Sequence, residues 1–135
     1  MRYVSLEPSV FLFPSTFLGA VSGAYLRYGN TRLDDSLPSV TMTVGKTESV
    51  FCMHFTEPAP AGIMWYDPQD RLVSGSSGDA VYQFIADGGR VATLYFKSYQ
   101  QRQRGTYECR VDSREKIVRL PVCIGEWFEL HLQRL

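Results

Sequence analysis

From residue 39 onward the chain is a series of short runs in which apolar and polar residues alternate, each closed by turn residues. Val40 to Val44 alternates with Thr and stops at Gly45, and Glu48 to Phe55 gives way to a loop carrying Pro58 and Pro60. Ile63 to Tyr66 stops at Asp67-Pro68, a turn start. Arg71 to Val73 is short and runs into Ser74 to Asp79, rich in Gly and Ser. Val81 to Ile85 and Val91 to Phe96 flank Asp87-Gly88-Gly89, while Thr106 to Val111 and Lys116 to Val122 flank Asp112 to Glu115; both connections read as hairpins. The pattern predicts about eight strands. No stretch of about twelve residues keeps a 3.6-residue period free of Gly and Pro, so the fold class is all-β.

Side chains two apart share a face of a strand. Val50 with Cys52, Ile63 with Trp65, Leu94 with Phe96, and Tyr107 with Cys109 and Val111 each give one apolar face. Two sheets meeting on those faces make a single core. Upstream, Arg27 to Pro38 is polar and ends in Asp34, Asp35, Ser36 and Pro38, which reads as a linker. The chain thus divides into an N-terminal extension (1–36), a β domain (37–124) and a C-terminal tail or linker start (125–135) that carries Trp127, Phe128, Leu130, Leu132 and Leu135.

Cys52, Trp65 thirteen residues later, and Gly105-Thr106-Tyr107-Glu108-Cys109 resemble the Cys…Trp…Tyr-x-Cys signature of the immunoglobulin superfamily. The resemblance covers Ser39 to Ile124 and implies an antiparallel two-sheet β-sandwich with Greek-key connections. It further implies a disulfide between Cys52 and Cys109, with Trp65 and Leu94 in the core and the Tyr107 hydroxyl bonded to backbone near the preceding turn. One position departs from the pattern: Gln103 stands where family members often have Asp, so the charged pair made by that Asp is absent. Met64 to Leu72, Ala92 to Phe96 and Gly105 to Cys109 are also similar to the first immunoglobulin domain of neural cell adhesion molecules, with fasciclin-II-like proteins the nearest flavour.

Composition narrows the function classes. Fourteen basic and fourteen acidic residues in 135 leave no net charge, and the arginines are scattered, which argues against a nucleic-acid partner. Val10 to Ala24 is largely apolar and ends in Ser22-Gly23-Ala24, so it resembles a weak secretory signal, although Glu7, Pro8 and Pro14 fit a packed extension as well. A bilayer span needs ~20 apolar residues, which the run does not reach. Any membrane attachment is therefore expected from segments outside this chain. Of three cysteines, the resemblance pairs two and leaves Cys123 on the outer face of the last strand, as a thiol or an intermolecular partner. The two histidines, His54 on a strand and His131 in the tail, do not assemble a triad or a metal site, and His54 reads as a satisfied structural residue. No catalytic residue, metal, cofactor or small-molecule substrate is expected.

The expected function is extracellular protein–protein recognition by a cell-adhesion or cell-surface receptor module, whose partner is another immunoglobulin-domain adhesion protein or a second copy of itself. A secreted immune-type ligand-binding domain and a structural spacer are the alternatives. Met64, Tyr66, Glu108, Arg110, Ile117 and Arg119 fall on the outward side of one sheet, and this mixture of Met, aromatic and Arg side chains suits an interface. The loop Ser74 to Asp79 is the second candidate. Asn30, followed by Thr31 and Arg32, is no glycosylation sequon.

Overall fold

The structure, a computed structural model, describes residues 23–126. Alternation gives nine strands there: β1 (Ala24–Tyr28), β2 (Thr31–Leu33), β3 (Ser39–Thr41), β4 (Glu48–His54), β5 (Gly62–Tyr66), β6 (Val81–Ala86), β7 (Val91–Phe96), β8 (Gly105–Asp112) and β9 (Ile117–Gly125). They form a five-stranded sheet in the order β2-β1-β4-β7-β6 and a four-stranded sheet in the order β3-β9-β8-β5. All neighbours are antiparallel except β3 and β9. No helix among the described residues is long and apolar enough to cross a membrane.

The inward positions read from the sequence meet between the sheets. Val50, Cys52, Trp65, Leu94, Phe96, Cys109 and Val111 are all buried in one cluster. Cys52 on β4 and Cys109 on β8 are joined by a disulfide across a Cα–Cα distance of 6.4 Å. The Trp65 indole is fully buried and donates from Nε1 to the Ala92 carbonyl on the facing sheet at 2.9 Å. The Tyr107 hydroxyl donates to the Gln103 carbonyl at 2.6 Å. Gln103 itself closes a short 3₁₀ turn, its side-chain oxygen accepting from the Gln100 backbone N–H at 2.8 Å.

The linker reading of Arg27 to Pro38 is corrected. β1 pairs with β4, with Leu26 opposite Cys52, and β2 folds back on β1. Ala24 and Leu26 belong to the core, so residues assigned to an extension form two strands. Hydropathy hid them because the outward Tyr25 and Arg27 leave β1 without apolar–polar alternation, while β2 is an edge whose Thr31 and Arg32 are exposed. Residues 34–38 then cross to the other sheet, where the Pro38 carbonyl accepts from the Cys123 N–H at 2.8 Å.

A second correction concerns Arg71 to Val73, which forms no strand. Only the Tyr66–Leu72 bridge joins it to β5. The Val73 N–H donates to the Trp65 carbonyl at 3.0 Å, and the rest of this edge is satisfied by Gln83, a buried amide on β6 of the other sheet. Its oxygen accepts from the Trp65 N–H at 2.7 Å, and its nitrogen donates to the Val73 and Trp65 carbonyls at 2.9 and 3.1 Å. One side chain thereby completes the pairing of this edge and ties the sheets together. Gln83→Leu keeps the bulk but orphans the Trp65 N–H and the Val73 carbonyl. The expected cost is about 3 kcal/mol, read as a lower urea midpoint at unchanged slope.

Three buried or half-buried tyrosines make the fold sensitive to alkali. Burial, then the hydrogen bond to Glu48, pushes the Tyr28 phenol up to about 12. Burial also raises Tyr107, and burial followed by the bond to Glu126 raises Tyr99. A phenol raised above its unfolded value binds its proton more tightly in the folded state. Its contribution is therefore whole below the unfolded value of about 10 and is lost as pH rises through the folded one. Urea midpoints should hold steady up to about pH 10 and fall steeply above it, with a shallower fall for Tyr28→Phe.

Candidate binding face

Strand alternation places all six sequence-derived residues on the outer face of the four-stranded sheet. On β5, Ile63 and Trp65 are buried while Met64 is exposed and Tyr66 half-buried; on β8, Tyr107, Cys109 and Val111 are buried and Glu108 and Arg110 face out. On β9, Ile117 and Arg119 are exposed. The register sets Met64 opposite Arg110, Arg110 opposite Arg119, and Tyr66 opposite Glu108.

Two guanidinium groups directly opposite each other repel unless an anion lies between them. Glu108 supplies it, accepting from Arg110 Nε at 2.6 Å and from Arg119 Nη1 at 3.0 Å. Arg110 also pairs with Asp70 and lies over the Tyr66 ring, 3.8 Å from its centroid. The hydrogen bonds that the Arg110 guanidinium donates to Glu108 and then to Asp70 hold it above its ordinary value, so it is charged at every physiological pH. Asp70 was not singled out from the sequence. It reaches Arg110 from a turn in which Asp67 Oδ1 accepts from the Gln69 and Arg71 N–H groups, and it sits there at φ 64°, a conformation Asp tolerates. The Asp67-Pro68 turn start was the only sequence signal for it.

The cluster is flanked by apolar surface: Met64 is 41% exposed and Ile117 50%. Beside Ile117 and Arg119 a groove of about 540 Å³ opens between β9 and the β1–β2 hairpin, with Leu33 and Asp34 on its far wall. Arg110 is held on three sides, by Glu108, Asp70 and the Tyr66 ring, which leaves its side chain little rotational freedom.

The second candidate, Ser74 to Asp79, closes on itself. The Ser74 hydroxyl donates to Asp79, and its oxygen accepts from the Ser76 N–H at 3.0 Å. His54 differs from expectation: it is buried at the end of β4, but its Nδ1 has no hydrogen-bond partner among the described residues. Its backbone is held by Arg90, whose carbonyl accepts from the His54 N–H at 2.8 Å and whose Nη1 donates to the His54 carbonyl at 3.2 Å. No group of three His, Cys, Asp or Glu among the described residues could hold a metal. Cys123 is a half-buried thiol on β9, on the side away from Cys52 and Cys109. The apolar N-terminal run, His131 and nearly all of the C-terminal tail lie outside the described residues.

No protein-family model matches the sequence, and no curated protein matches it. Among solved structures the chain is similar to the Dscam1 Ig7 domain (isoform 5), at 13% identity and a TM-score of 0.55, over 77% of this chain and 98% of that one. It is similar to the titin domains Z1Z2 in complex with telethonin, at 17% identity and 0.54, over 76% of this chain and 47% of that one. It is also similar to the titin M10–obscurin-like 1 Ig complex, at 17% identity and 0.54, over 76% and 92%. At such identities the likeness is one of fold, and the fold it gives this chain is that of an immunoglobulin domain.

Proposed function

We propose that the chain is a non-catalytic recognition module of extracellular type, a cell-adhesion or cell-surface receptor domain that binds protein through the outer face of β5, β8 and β9. The observation that carries this reading is the fixed Tyr66–Arg110–Glu108 cluster between exposed Met64 and Ile117. An immobilised Arg and an aromatic ring beside apolar anchors make a surface prepared for a partner. The similarity of Met64 to Leu72 and of Gly105 to Cys109 to the first domain of neural cell adhesion and fasciclin-II-like molecules supports an immunoglobulin-domain partner or a second copy. Solved neighbours that include protein complexes support protein partners generally.

The test pairs sedimentation of the full chain with adhesion of beads that carry it, to each other and to intact cells. Met64→Glu with Ile117→Glu changes two exposed side chains, so stability should move by less than about 1 kcal/mol. Binding should weaken at least about tenfold, because burying either new carboxylate is costly. Adhesion that survives both changes would falsify the assignment of this face. The likeness to titin domains also supports a second reading, a structural spacer. A chain that binds neither itself nor cells, with Cys52 and Cys109 recovered as thiols, is the result that reading requires.

A further inference from the structure

The opposite face, on the five-stranded sheet, has different chemistry. Its outward residues form cross-strand rows. Arg32, Arg27, Phe51, Thr93 and Phe84 lie in one row across β2, β1, β4, β7 and β6. Tyr95 and Tyr82 pair in the next. The rings of Tyr82, Phe84 and Tyr95 touch, with centroids 5.1 to 6.4 Å apart, and Phe84 is 45% exposed. A sheet in contact with water normally alternates apolar inside with polar outside. Here both faces are apolar, and contiguous aromatic surface of this kind marks an interaction site.

Charge selects the occupant. Arg27 and Arg32 are directly opposite on β1 and β2, two like charges side by side. Arg32 lies over Tyr25 at 4.2 Å and pairs with Asp34. Arg27 lies over Phe51 at 4.9 Å, and its Nε is buried with no acceptor among the described residues. The outward positions of β1, β4, β6 and β7 supply no carboxylate: Tyr25 and Arg27, Ser49, Phe51 and Met53, Tyr82, Phe84 and Ala86, and Val91, Thr93 and Tyr95 fill them. In a symmetric dimer each copy presents the same patch. Two such patches would bring four arginines together against only two carboxylates, the Asp34 side chains already paired with Arg32, which disfavours a second copy.

We propose that this face docks another protein through an apolar surface bearing a carboxylate, the apolar part covering Phe51, Phe84, Tyr82 and Tyr95 and the carboxylate accepting from Arg27. The site is separate from the β5–β8–β9 face, on the other side of the sandwich, so one domain would bridge two partners.

The experiment places a photo-crosslinker in the full chain as Phe84→p-benzoylphenylalanine and offers two synthetic Leu/Phe-rich peptides that differ only in one Glu or Lys. Products are identified by mass spectrometry. The Glu peptide should crosslink about tenfold more than the Lys peptide, and Arg27→Gln should erase that preference while leaving some capture of both. Equal capture of the two peptides, or none, overturns the proposal. A crosslinked chain dimer gives the face to a second copy, and an internal crosslink into residues 1–22 gives it to the chain's own first segment; either result overturns it too.

Discussion

Trp65→Ala is expected to cost about 5 kcal/mol, a third or more of the roughly 5–15 kcal/mol that keeps a domain folded. Removing a fully buried indole leaves a cavity between the sheets beside Cys52 and Cys109, worth about 3 to 5 kcal/mol. The Ala92 carbonyl also loses its donor, adding about 1 kcal/mol or more. Trp65→Phe separates the two contributions, since it keeps much of the volume but not the N–H, and should cost about half as much. The measurement is guanidinium unfolding followed by far-ultraviolet circular dichroism, because Trp65 is itself a reporter of fluorescence. A loss below about 2 kcal/mol for the alanine variant would mean that the indole is not packed between the sheets.

That environment was legible in the sequence because burial on alternate positions leaves a simple trace. The faces Ile63–Trp65, Leu94–Phe96 and Tyr107–Cys109–Val111 could be read from spacing alone, and so could the common outward side of Met64, Tyr66, Glu108 and Arg110. What escaped was written in residues whose usual meaning is different. Gln83 is polar, which ordinarily marks an outward position, yet its amide satisfies backbone groups on the facing sheet. Tyr25 and Arg27 turned β1 into part of an apolar-then-polar gradient, and the same outward aromatic and cationic residues make the far face of the sandwich unusual. Asp70 escaped because its partner lies forty residues on, a distance that local pattern does not bridge. Register, once known, explains each of these.

Cys52→Ala with Cys109→Ala is the other change with a large expected effect, about 4 kcal/mol. The bond spans a sequence separation of 57 and restrains the unfolded chain accordingly, about 4 kcal/mol in the chain-entropy account. Besides the main chain, it is also the one covalent cross-link between the five-stranded and four-stranded sheets among the described residues. Cys123 provides the internal control. Val122 and Ile124 face the core, so Cys123 projects from the opposite side of β9, and Cys123→Ser should change stability by less than about 1 kcal/mol. For the same reason Cys123 cannot replace Cys109 as the partner of Cys52 without turning β9 over, which would carry Val122 and Ile124 out of the core. Non-reducing peptide mapping should therefore recover Cys52 joined to Cys109 and Cys123 as a thiol. An alanine pair that unfolds at the same guanidinium concentration as the parent chain means that the sulfurs are not bonded in the working protein. A reducing compartment would follow, and the extracellular reading of the β5–β8–β9 face would lose its chemical basis.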